Sequence, residues 1–206
     1  MRVKICGVTT VEQAVACVDL GADAVGVNFV ASSPRRVDKR LARAVVDAVG
    51  QRGLVVGVVA GMTVEAMRAL VDRTGVGCLQ LHGDESAADV AALLPHAYKA
   101  VRLAGPGDAA IAEAMPGDYV MVDARVKGSL GGTGQTFDWG WVVGLASRRK
   151  LVLAGGLTPD NVRSAVQRVR PWCVDVASGV ESAPGVKDLG RVRAFLQAAR
   201  GSSREG

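Results

Sequence analysis

Eight times along 206 residues, a short apolar run gives way to a longer stretch patterned as a helix. This alternation limits the fold more than any other feature. The pairs begin with "VKICGV" (3–8) and a helix opening at Thr10, then "AVGVNF" (24–29) and a helix near 39–49. "LVVGVV" (54–59) follows, with a helix capped by Thr63 and stopped at Gly75. The series continues as "CLQLHG" (78–83) with 85–94, "AYKAVRL" (97–103) with 107–114, and "YVMVDA" (119–124) with 138–147. It ends with "KLVLAGG" (150–156) and 159–169, then "CVDVASG" (173–179) and 188–199. Repeated strand–helix units imply parallel strands joined by right-handed crossovers. Eight such units are the number that closes a (β/α)8 barrel, and this length lies at the short end of its range. An open doubly wound sheet is the alternative, but "CGVTTVE" lacks the G-x-G-x-x-G spacing that often follows its first strand. The reading is an α/β protein, a single-domain (β/α)8 TIM barrel over residues 1–200, with "GSSREG" (201–206) as a disordered tail.

Composition supports this and narrows the function. Hydrophobic residues make up 49% of the chain and aromatics only 4%, the Val, Ala and Leu bias of a parallel sheet buried under helices. The longest apolar runs are too short to cross a bilayer, and the start of the chain lacks the layout of a signal peptide. A cytoplasmic protein without a membrane partner is expected. Cys6, Cys17, Cys78 and Cys173 form no CxxC pair and are too few and too scattered for a zinc pattern or a disulfide scaffold. Free thiols and no metal are expected. The net charge of +5 is spread along the chain, and three Phe, three Trp and two Tyr make no stacking platform for nucleic acid. A small acidic substrate suits that charge better.

Active sites of such barrels form where strands end and the following loops begin. The polar residues at those places are Lys4 and Cys6 (strand 1), Asn28 (strand 2), Gln80 and His82 (strand 4) and Arg102 (strand 5). Asp123 (strand 6), and Asp175 and Ser178 (strand 8), complete the set. Loops after strands 7 and 8 often hold phosphate. Here those loops carry Gly155 and Gly156, then Ser178 and Gly179, whose backbone N–H groups can approach an anion closely. Glycines that merely turn the chain would look the same in either loop alone.

Asp123 reads as a proton donor whose pKa is raised by partial desolvation, or as an ion-pair partner of Arg125 or Lys127. Cys6 reads as a buried small hydrophobe, or as a thiolate base favoured by a cation such as Lys4. Arg35, in "SSPRR", suits a bidentate hold on a carboxylate but also a solvated loop. His82 reads as a base or as a hydrogen-bonded structural residue. The stretch "GSLGGTGQTFDW" (128–139) reads as a mobile loop beside the site, or as a plain connection.

Together "KICGVTT", "GADAVGVNF", "SSPRRV", "LQLHGDE", "VDA", "GGTGQTFDW", "LAGGLTPDNV" and "VDVASGVESAPGVKD" resemble the phosphoribosylanthranilate isomerase family of tryptophan biosynthesis. The matches run in order from residue 4 to residue 188. The resemblance implies an Amadori rearrangement with Cys6 as general base and Asp123 as general acid. It also implies that Arg35 binds the anthranilate carboxylate, that the loops after strands 7 and 8 bind phosphate, and that no cofactor is needed. Lys4, Gln80, His82 and Asp175 join Gly155, Gly156, Ser178 and Gly179 as substrate-binding candidates. Family members occur as monomers or homodimers, and the sequence favours neither. Asn28 and Arg36 depart from the family pattern, which often has an apolar residue and a tyrosine there. A related barrel isomerase of histidine biosynthesis, dual specificity, or a non-catalytic barrel partner are the alternatives. Against the first stands Cys6, where an aspartate is expected.

Overall fold

Alternation within each strand decides which side chains face which core. In the computed structural model, which describes residues 1–123 and 138–201, eight parallel strands form a closed barrel in sequence order. They are β1 (Arg2–Cys6), β2 (Ala24–Asn28), β3 (Leu54–Val59), β4 (Cys78–Leu81), β5 (Ala97–Arg102), β6 (Tyr119–Asp123), β7 (Lys150–Ala154) and β8 (Cys173–Val176). The ring closes through β8 against β1, with Lys4 opposite Asp175.

Val3 and Ile5 of β1, Leu79 and Leu81 of β4, Val120 and Val122 of β6, and Val174 and Val176 of β8 point outward into one large core shared with the helices. The opposite parity points into the barrel, where Ala24, Val56, Tyr98, Ala100, Met121 and Val152 form a smaller core. Lys4, Cys6, Gln80, Asp123 and Asp175 share that inward parity. Polar side chains at these positions therefore meet inside the barrel or at its mouth.

The helices that cover the strands are α1 (Val11–Asp19), α2 (Lys39–Val49), α3 (Val64–Thr74), α4 (Ala87–Ala92), α5 (Asp108–Ala114), α6 (Gly140–Arg148), α7 (Val162–Val169) and α8 (Leu189–Arg200). The expected caps are present. The hydroxyls of Thr10 and Thr63 accept from the N–H groups of Gln13 and Ala66, and Gly75 ends α3 in the left-handed region at φ 71°. Helices α4 and α7 are shorter than the sequence pattern suggests. Ser86 and Asp89 close a capping box around the first turn of α4, and Asn161 holds the turn before α7.

One element lies outside the expected pattern. Between β8 and α8 the chain forms a 3-10 turn (Ser178–Val180) and a short antiparallel hairpin, β9 (Glu181–Ala183) with β10 (Val186–Lys187). Ser178 thus lies beyond β8, on an exposed turn. His82 likewise follows the end of β4. Residues 128–137 of the suggested mobile loop, the ion-pair candidates Arg125 and Lys127, and tail residues 202–206 lie outside the described residues.

Candidate active site

Cys6 ends β1 and faces the barrel mouth, with Gly26 of β2 opposite it in register. A Cβ at Gly26 would stand 2.8 Å from the Cys6 sulfur, so only glycine leaves the thiol its space. Gly7 follows at φ 77°, and a Cβ there would run into the Arg35 side chain. The aliphatic stem of Arg35 therefore lies across the turn that carries the thiol. Cys6 is 9% exposed. Its burial pushes the thiol up; the Lys4 and Lys187 ammoniums oppose this, Asp175 adds to it, and burial prevails. The thiolate expected from a nearby Lys4 is thus not favoured in the free protein. Lys4 is already committed to Asp175, whose Oδ1 lies 3.0 Å from Nζ.

That ion pair anchors a buried polar chain. Lys4 Nζ also donates to Gln80 Oε1 at 2.9 Å, and the Tyr98 hydroxyl donates to the same oxygen at 3.0 Å. Gln80 Nε2 lies 3.0 Å from His82 Nδ1, and His82 Nε2 lies 3.4 Å from Asp123 Oδ2. Burial acts to lower the Lys4 pKa, but Asp175, Cys6 and Tyr98 together outweigh it and the ammonium is held well above the usual lysine range. Lys4, Gln80 and Asp175 are almost fully buried and bind one another. His82 and Asp123 are 19% and 16% exposed, so the chain surfaces at Asp123.

Arg35 grips a residue that the motif reading passed over. Its Nε and Nη2 donate to Glu181 Oε1 and Oε2 at 2.7 and 2.5 Å. The same carboxylate accepts from Lys187 Nζ at 2.7 Å, while Lys187 also donates to the carbonyls of Cys6 and Ala177. Burial acts to raise the Glu181 pKa, but Arg35 and Lys187 hold it below the usual glutamate value. Two cations against one carboxylate leave a net positive charge beside Cys6. The spacing of Glu181 and Lys187 around the "APG" turn was the available signal. A short Gly-containing turn between two extended runs signals a hairpin, and its cross-strand partners, here Glu181 and Lys187, share one face.

The loops after β7 and β8 pack directly on each other. Gly155 and Gly156 adopt φ 90° and 65°, and Asn161 Nδ2 donates to the Gly156 carbonyl at 2.9 Å. A Cβ at Gly179 would overlap the Leu157 carbonyl, so glycine is needed for this loop contact. Ser178 and Gly156 are exposed beside it. Asn28 bends its own loop, its Oδ1 accepting from the Val30 N–H at 2.8 Å; Arg36 and Arg102 are exposed at the rim.

Around the mouth the order is Asp123 (β6), the two glycine loops (β7 and β8), Cys6 (β1) and Arg35 (after β2). A separate cavity of about 320 Å³ opens at the opposite, N-terminal ends of the strands, lined by Val56, Tyr98, Tyr119 and Trp172 among others. It holds neither the thiol nor Asp123. Among the described residues, no group of three His, Cys, Asp or Glu side chains could hold a metal ion.

The family profile for N-(5'-phosphoribosyl)anthranilate (PRA) isomerase matches residues 3–198. An N-(5'-phosphoribosyl)anthranilate isomerase of Pseudomonas fluorescens is 44% identical over 98% of this chain and 97% of its own length. One from Myxococcus xanthus is 42% identical over 97% of this chain and 96% of its own. The crystal structure of phosphoribosyl anthranilate isomerase from Thermotoga maritima superposes with a TM-score of 0.90, at 36% identity over 98% of this chain and all of that one. A further structure of such an isomerase, in complex with reduced 1-(o-carboxyphenylamino)-1-deoxyribulose 5-phosphate, gives a TM-score of 0.85 at 34% identity over 98% of this chain and all of that one. The chain belongs to the N-(5'-phosphoribosyl)anthranilate isomerase family.

Proposed function

We propose that this protein converts N-(5'-phosphoribosyl)anthranilate to 1-(2-carboxyphenylamino)-1-deoxyribulose 5-phosphate, with Asp123 as general acid and Cys6 as general base. The observation that carries this reading is the order of groups around the barrel mouth. The glycine loops, Cys6 and Arg35 follow one another around the rim. Along the substrate, phosphate, the reacting sugar carbons and the anthranilate carboxylate follow in the same order. Backbone N–H groups of the loops bearing Gly155, Gly156, Ser178 and Gly179 hold the phosphate. Arg35, already gripped by Glu181, turns its remaining N–H groups to the carboxylate.

Asp123 protonates the furanose ring oxygen. The C1–O bond breaks as the nitrogen lone pair forms a C1=N iminium. Cys6 as thiolate then takes the C2 proton, and the C–H electrons form the C1=C2 bond while the C=N pair returns to nitrogen. The enolamine picks up a proton at C1 and loses one from its hydroxyl to give the ketone. Positive charge on the iminium favours the thiolate at the step that needs it, offsetting the burial that raises the thiol in the free protein. The nitrogen serves as electron sink, so the reaction as written draws on no metal or cofactor. Among the described residues no helix is long and apolar enough to cross a membrane. We place the protein in the cytoplasm, acting as a monomer or homodimer on a small phosphorylated substrate.

The test follows the fluorescence of phosphoribosylanthranilate made in situ, with wild type, Asp123→Asn and Cys6→Ser compared. Each variant should lose about 10²–10⁴-fold in kcat while still binding a product analogue. Undiminished turnover in either variant refutes its assigned role.

A further inference from the structure

Hydrogen-bond directions along the buried chain fix the state of a residue at its surface end. The Lys4 ammonium has only donors, so the Gln80 atom 2.9 Å away is its amide oxygen. The Tyr98 hydroxyl, 3.0 Å from the same atom, completes that oxygen's partners. The Gln80 amide nitrogen therefore faces His82, and it too has only donors. The ring nitrogen 3.0 Å from it, Nδ1, must present its lone pair. The neutral imidazole then carries its proton on Nε2, the atom 3.4 Å from Asp123 Oδ2. The other tautomer would require Gln80 to turn over, which sets its amide N–H groups against the Lys4 ammonium, donor against donor.

We propose that Gln80 is a positioning residue that holds His82 in the Nε2–H tautomer, so that His82 presents a hydrogen-bond donor to the Asp123 carboxylate. This rests on the reading of Asp123 as the acid. When Asp123 gives its proton to the ring oxygen, the new carboxylate gains a donor aimed at it. At 3.4 Å the contact is long for a hydrogen bond, so it strengthens as charge develops on Asp123. Gln80 touches neither the mouth nor the reacting atoms, being 1% exposed. Its influence passes through His82 alone, with Asp175 and Lys4 holding it from behind.

The chain has two histidines, so His96→Gln leaves a single ring to observe by nitrogen NMR in the free protein. In that background, Nδ1 of His82 should resonate as the unprotonated nitrogen and Nε2 as the protonated one. Gln80→Glu keeps acceptors for Lys4 and Tyr98 but offers the ring an acceptor, so Nδ1 should gain a proton. Its kcat should fall about tenfold or more, with KM within roughly twofold. Should that variant fail to fold, Gln80→Met, which has neither donor nor acceptor to direct the ring, should give a mixed nitrogen pattern. A protonated Nδ1 in the His96→Gln protein, or an unchanged pattern in the Gln80 variants, overturns the proposal whatever the activity. Full turnover by Asp123→Asn would instead overturn the reading of Asp123 and, with it, the link to catalysis.

Discussion

Glu181→Gln keeps the size of a buried side chain and removes its charge. In the native protein this carboxylate, 4% exposed, takes three charge-assisted hydrogen bonds, two from Arg35 and one from Lys187. Glutamine has one oxygen to offer and sets an N–H2 group against a cation. Arg35, 17% exposed, can turn part of its charge to solvent. The Lys187 ammonium, 0% exposed, cannot, and keeps only the carbonyls of Cys6 and Ala177. Removing one partner of a buried pair costs about 3–5 kcal/mol. Relief at Arg35 places this case near the lower end, about 3 kcal/mol. For a chain of this size that lowers Tm by roughly 6–12 °C. The loosened guanidinium should also raise KM about tenfold, the worth of ~1.4 kcal/mol of lost orientation, with a smaller change in kcat. Thermal unfolding by circular dichroism and steady-state kinetics on the same preparation check both. A Tm within about 2 °C of wild type would refute the claim that Lys187 depends on this carboxylate. A lowered Tm with unchanged KM would refute the claim that Glu181 aims Arg35.

Three other outcomes follow from the same geometry. Because burial raises the Cys6 thiol, the part of iodoacetamide alkylation that Cys6→Ser abolishes should keep accelerating with pH through a limb above the ordinary thiol value of 9.0; a limb below it would contradict the burial argument. Gly179→Ala must push against the Leu157 carbonyl, so the two glycine loops should part and inorganic phosphate should inhibit about tenfold more weakly, an effect read from its inhibition constant. Glu181 and Glu85 both titrate below the glutamate value of 4.5 when folded, despite burial. Their contribution to stability is therefore full above pH 4.5 and is lost as pH falls through the folded values, so the urea midpoint should drop as pH falls below 4.5. Glu85, paired with Lys99 at 3.1 Å, should lose part of that slope when changed to Gln.

Much of this protein is set by local pattern. Eight strand–helix units with β-branched strands can bury their apolar faces only by rolling into a parallel sheet under helices, and eight such strands close into a ring. The period of two then sends Lys4, Cys6, Gln80, Asp123 and Asp175 inward together, so the residues to inspect could be picked from their parity and their places near strand ends. What those residues do was beyond reach of any local pattern. Whether Lys4 lowers the Cys6 thiol depends on Asp175, which is 171 residues away along the chain from Lys4 and 3.0 Å away in space. Whether Arg35 is a solvated loop residue or an aimed guanidinium depends on Glu181, brought to it by a hairpin 146 residues further on. Electrostatic effects and hydrogen-bond directions depend on distances between strands distant in sequence, and on how much water the closed barrel excludes. Spacing along one chain records neither of these, and barrel closure decides both.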